Sequence, residues 1–128
     1  MTETFDIHLT QGQSDWISLT WTEDGDPVDL TGWSALLQVR RTAASEDILF
    51  SASTEDGKIT ADASGVVLVE IPAAESSAWQ PSALAPSKIV DGTTWTQFGV
   101  YDLELTDLSG QIVRLVHGRF WLSPEVSR

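Results

Sequence analysis

The chain has 128 residues, with 19 acidic residues against 7 basic ones, a formal charge of −12 and no cysteine. That length suits a single domain spanning 1–128. The acidic balance repels phosphate backbones and argues against direct nucleic-acid binding, and without cysteine there are no disulfides, thiolate metal sites or cysteine nucleophiles.

Met1-Thr2-Glu3-Thr4 has no basic start and no apolar run after it, so no signal peptide is expected. No apolar stretch approaches the ~20 residues that cross a bilayer, so no membrane partner is expected either. Phe5, Ile7 and Leu9 alternate with Asp6 and His8 and predict a first short strand, broken by Gln11-Gly12-Gln13-Ser14. Trp16–Trp21 predicts a second strand with Ile17, Leu19 and Trp21 on its core face. Glu23-Asp24-Gly25-Asp26-Pro27 is a turn, and Val28–Trp33 an extended corner. Strands follow over Ser34–Arg41, Ile48–Thr54, Lys58–Thr60 and Val66–Ile71, divided by polar loops or Gly turns. Pro72 ends the last of these and suits the first turn of a short helix over 73–79. Gln80–Gln97 is expected to be a long irregular excursion, with a weak strand at Lys88–Val90 as the alternative.

Phe98–Pro124 carries the strongest signal. Tyr101, Leu103 and Leu105 alternate with Asp102, Glu104 and Thr106, and Leu108-Ser109-Gly110 predicts a three-residue hairpin loop. Asp107 then faces Gln111, Glu104 faces Arg114, Leu105 faces Val113, Leu103 faces Leu115 and Tyr101 faces His117. A bulge at Gly118 would turn Phe120 and Leu122 inward and Arg119 outward. That is the expected arrangement, because it avoids burying an arginine. Pro124–Arg128 is read as a short tail, which with Met1–Thr4 could add to a neighbour's sheet edge. Short strands with regular turns predict an all-β fold, an immunoglobulin-like antiparallel β-sandwich without the disulfide.

Several pieces, in order, resemble a family of small virion structural proteins of tailed bacteriophages. They are Gln11-Gly12, Leu19-Thr20-Trp21, Asp24-Gly25, Pro27–Trp33, Val39-Arg40-Arg41, Ile71-Pro72-Ala73-Ala74 and Tyr101–Leu105, then Gly110, Val113-Arg114-Leu115, Gly118 and Ser123–Val126. The set is similar to the N-terminal attachment domain of baseplate upper proteins, and the chain departs from it in the long Gln80–Gln97 excursion. The resemblance implies a tail, neck or baseplate component that docks other virion proteins, in symmetric or homo-oligomeric copies. It would be made in the host cytoplasm and carried in the virion. Capsid decoration is the alternative within that class.

No catalytic set, cofactor site or metal site is expected. His8 and His117 lie in strands and read as structural, and the Glu23, Asp24 and Asp26 carboxylates lack the ligand spacing of a helix-loop-helix calcium site. Six tryptophans exceed what one small core uses. Trp79, Trp95 and Phe98, which border the excursion, are either anchors folded back on the domain or partner-interface residues. Exposed tryptophans on a β-sandwich also admit a carbohydrate-binding module as a reading of another class.

Overall fold

The computed structural model describes residues 3–82 and 84–123; the tail at 124–128 and the first two residues of the N-terminal arm lie outside them. The strands are β1 (Glu3–Thr4), β2 (Ile7–Thr10), β3 (Asp15–Thr20), β4 (Thr22–Glu23), β5 (Asp26–Pro27) and β6 (Ser34–Arg40). They continue with β7 (Ile48–Ser53), β8 (Ile59–Ala61), β9 (Val66–Ile71), β10 (Ser87–Val90), β11 (Thr93–Thr106) and β12 (Ile112–Ser123). One helix, α1 (Ala73–Ser76), completes an all-β fold. It is shorter than the expected 73–79, because after Ser77 the chain continues as a turn that carries Trp79 inward.

The large sheet runs β1-β12-β11-β6-β7, with β2 also on β12 and β10 also on β11. A second sheet runs β3-β9-β8, and β4–β5 is a small separate ribbon around Asp24-Gly25. Alternation explains the layering. Leu37, Val39, Leu103, Leu105, Phe120 and Leu122 of the large sheet join Ile59, Val67, Val69 and Ile71 of the small one in one hydrophobic cluster. Each fully buried side chain of this size contributes roughly 1.5–3 kcal/mol.

Pairing is not wholly antiparallel as expected. β1 and β2 both run parallel to β12, Glu3 opposite Val116 and Ile7 opposite Phe120. Between them the chain kinks at Phe5-Asp6, which leaves Phe5 exposed while Ile7 and Leu9 are buried.

The β11–β12 hairpin keeps the expected register at its tip. Glu104 pairs with Arg114 and Leu105 with Val113, and Gly110 takes a φ of 90°. Asp107 locks the loop: its carboxylate accepts bonds from the hydroxyl and N–H of Ser109 and from the N–H of Gln111. These hold its carboxyl below the ordinary range. Beyond Glu104 the register departs from expectation. Leu103 pairs with Val116, so Leu115 is the extra residue, and Tyr101 meets Gly118 instead of His117.

The face exchange therefore occurs at Leu115, three residues before Gly118. Phe120 and Leu122 do turn inward, and Arg119 is exposed. Gly118 serves another purpose. The backbone of Phe5 crosses so close that a Cβ there would lie 2.1 Å from the Phe5 carbonyl oxygen.

The expected excursion is more regular than its composition suggests. β10 pairs with the start of β11, Ser87 opposite Thr96 and Val90 opposite Thr93, around the Asp91-Gly92 turn. Residues 93–97 thus belong to β11 and not to a loop. A second bulge, with Phe98 as the extra residue, switches faces: Trp95 and Gln97 sit outside, while Tyr101, Leu103 and Leu105 sit inside. Arg41 pins both ends, donating to the carbonyls of Gln80 at 2.7 Å and Phe98 at 3.2 Å.

Candidate functional site

The three aromatic residues at the borders of the 80–97 segment separate into two environments. Trp79 (8% exposed) stacks on Phe98 (3% exposed) with ring centres 4.8 Å apart, and meets Phe50 and Phe120 edge-on. Both are core rings that fasten the segment, with little surface left for a partner. Gln11 secures the same corner: its buried amide donates to the carbonyl of Trp79 at 2.6 Å and to that of Ser77 at 3.3 Å. Ser76, fully buried, accepts the Gly12 N–H.

Trp95 lies on the opposite side of the sheet, half-buried and edge-on to His8 at 5.0 Å. His8 stacks over Trp121, and the Lys88 ammonium caps the Trp121 ring 4.2 Å from its centre. Asp6 completes the cluster by accepting the Arg119 backbone N–H and the Trp121 indole N–H. Burial alone would raise the Asp6 carboxyl. The two hydrogen bonds and the charges of Lys88 and Arg119 outweigh it and hold the carboxyl below its ordinary value. Burial and the nearby Lys88 charge lower the His8 imidazole against the raising effect of Asp6.

These residues fix the N-terminal segment to the sheet. His117 does the same from β12, with its Nε2 3.4 Å from the Thr4 hydroxyl. Tyr101 is buried, donates its hydroxyl to the Phe5 carbonyl, and has its phenol pushed well above the ordinary range by desolvation and by Asp6. Sequence reasoning missed this cluster. Its members come from three separate segments, and the parallel placement of β2 that joins them has no local signature.

Of the tryptophans, Trp16 is the exposed one, at 54%. Trp21 and Trp33 meet edge-on and pack against the core, half-buried. Among the described residues no group of three His, Cys, Asp or Glu side chains converges as a metal site. The acidic tip Glu23-Asp24-Gly25-Asp26 is an exposed ribbon turn, with Asp24 at a φ of 52°.

A concavity lies on the outer face of the large sheet. It is a hollow of about 730 Å³ floored by β6, β11 and β12, with Thr4 and Asp6 on one side and Ala43 on the other. Arg40, Arg114 and Arg119 enter it alongside Asp102 and Glu104. Arg114 reaches diagonally to Asp102, Nε to Oδ2 3.3 Å, although Glu104 is its direct cross-strand neighbour. The arrangement offers hydrogen bonds and charge of both signs, suited to recognition.

No family model matches the chain, and no curated protein matches it in sequence.

Several of the motif residues named above occupy positions that shape the chain. Gln11 bonds the turn after α1, Leu30 is wholly buried, and Asp29 caps the N–H of Thr31. Gly32 takes a φ of 82°, and Tyr101 and Gly118 receive the Phe5 crossing.

Proposed function

We propose that this chain is a non-enzymatic structural protein of a tailed-bacteriophage particle, a tail, neck or baseplate component that links other virion proteins. The observation that carries this reading is the ordered run of motif residues from Gln11 to Val126, which resembles small virion β-sandwich domains, the immunoglobulin-like class included. Its consistency with the fold supports it: the motif glycines, Gln11, Leu30 and Tyr101 each have a defined structural role here. Docking through shape and hydrogen bonds needs no turnover chemistry. The sheet edges at β7 and β10 and the polar hollow are surfaces on which it can act.

Capsid decoration is the variant of the same reading, with the same chemistry applied to a different shell. A carbohydrate-binding role needs two or three coplanar exposed rings. Here Trp95 is half-buried and perpendicular to His8, and Trp121 is covered, so the aromatic geometry favours docking.

The test is protein mass spectrometry of purified particles followed by density assignment in the intact virion. The chain should be stoichiometric in particles, with density at the tail, neck or baseplate. Density on the capsid selects decoration, and absence from particles with a positive glycan array sinks the docking reading.

A further inference from the structure

The hollow has an internal order that follows from strand register. Val100 is flanked by Arg40 and Arg119, Asp102 by Gln38 and His117, and Glu104 by Leu36 and Arg114. Three cross-strand rows result, with an arginine row at one end and the Glu104 row at the other.

Most of these charges are engaged. Arg40 donates to the carbonyls of Ser45 and Glu46 and to the Gln38 amide, which holds the 41–47 loop against the rim. Arg114 holds Asp102, and Asp6 is taken up by Arg119 N–H and Trp121. Two side chains differ. Among the described residues, the carboxylate of Glu104 makes no hydrogen bond or ion pair, and the guanidinium of Arg119, whose charge acts on Asp6 at a distance, donates no side-chain hydrogen bond and forms no ion pair.

We propose that this hollow docks an extended peptide segment carrying an acidic residue and a basic residue four positions apart. The acidic side chain meets Arg119, the basic one meets Glu104, and the chain between them lies over Val100 and Asp102. The spacing comes from the rows: Val100 to Glu104 is four residues of strand, about 13 Å at ~3.3 Å per residue. A partner in extended conformation has the same rise and directs residues i and i+4 to one side, so both charges reach their partners together. A simple anion is a poor occupant, because Asp6, Asp102 and Glu104 balance the three arginines. A sugar is also a poor one, since the one aromatic side chain besides His117 among the lining residues, Tyr101, is buried on the inner face and offers no stacking surface.

The inference rests on the docking reading above and names the surface through which it works. The test is amide NMR of the ¹⁵N-labelled full chain, titrated with nonapeptides of Ser and Thr. One carries Asp and Lys four residues apart, a second carries them adjacent, and a third carries Lys at both separated positions.

The first peptide should shift the amides of Val100, Asp102 and Arg119, and the second should bind at least fivefold more weakly. Arg119→Glu should lose the first peptide by tenfold or more and gain the third, and Glu104→Gln should weaken the first without creating affinity for the third. Unchanged dispersion of core amides such as Leu103 shows that each variant remains folded. No shifts at about 5 mM peptide, equal binding of the separated and adjacent forms, or no exchange of preference in Arg119→Glu would each overturn the proposal. A silent hollow in a chain that is present in particles would move docking to another surface. Binding by a chain absent from particles would instead retire the virion reading and leave the hollow intact.

Discussion

Replacing Gly118 with alanine should detach the N-terminal segment from the large sheet. The added Cβ would sit 2.1 Å from the Phe5 oxygen, 2.7 Å from its carbonyl carbon and 3.1 Å from Asp6 Oδ1. Ordinary contact requires a retreat of roughly 1 Å, and the neighbour is backbone, so no rotamer change can supply it. That retreat strains three hydrogen bonds: Phe5 N–H to the His117 carbonyl at 2.9 Å, Tyr101 hydroxyl to the Phe5 carbonyl, and Arg119 N–H to Asp6 at 3.0 Å. At ~1 kcal/mol for each neutral bond and ~1.5–3 kcal/mol for the charged one, losing all three would cost about 3.5–5 kcal/mol. The entropic gain of a Gly→Ala change, about 0.4–1 kcal/mol, does not offset it. Urea denaturation gives the total, and amide hydrogen exchange gives the location, with protection lost over residues 3–10 first. A loss below about 0.5 kcal/mol with unchanged exchange at Ile7 and Leu9 would refute the crowding argument.

Trp79→Ala should cost about 3–5 kcal/mol in the same denaturation experiment, since it empties a core site shared with Phe50, Phe98 and Phe120. Trp95→Ala should cost about 1 kcal/mol or less and leave the fold intact by circular dichroism, because the ring is half-buried on the outer face. Equal costs for the two would contradict their assignment to different environments. Asp6 has a folded-state value depressed below its ordinary 3.8, so its contribution is fully present above that value and is lost as pH falls through the lower folded one. Wild-type stability should therefore fall between about pH 5 and pH 2 more steeply than that of Asp6→Asn, as followed by urea midpoints; parallel curves would remove Asp6 from the account.

How much of this was legible follows from the range of each interaction. The hairpin tip was readable because Asp107, Gly110 and the alternating rows on either side act within a dozen residues. Hence Glu104 opposite Arg114 and Leu105 opposite Val113 agree with expectation. The register beyond Leu103 was not readable. Glycine suggested a bulge at Gly118, but the extra residue is Leu115, and Gly118 answers to a backbone more than a hundred residues away in sequence. Parallel pairing of β1 and β2 was invisible for the same reason: alternation specifies which face is buried and says nothing of strand direction. In 80–97 the weak strand at Lys88–Val90 stood only as the alternative to an irregular excursion, and β10 (Ser87–Val90) is that strand; what the composition did not show is its pairing with the start of β11 across the Asp91-Gly92 turn.

The same distinction governs the candidate surfaces. Tryptophans draw attention in a sequence, yet Trp79 is consumed by the core and Trp121 by Lys88 and His8. In the hollow, among the described residues, Glu104 and Arg119 make no side-chain hydrogen bond or ion pair, and their types are common on any strand. What sets them apart is their position in the hollow, and that position depends on the Leu115 bulge. Without the extra residue Arg119 would share the inner row with Val113. With it, Arg119 turns to the outer face, level with Val100 and four residues of strand from Glu104. The bulge that spares the core an arginine is thus also what supplies the outer face with one, and removing Leu115 should disturb folding and hollow together.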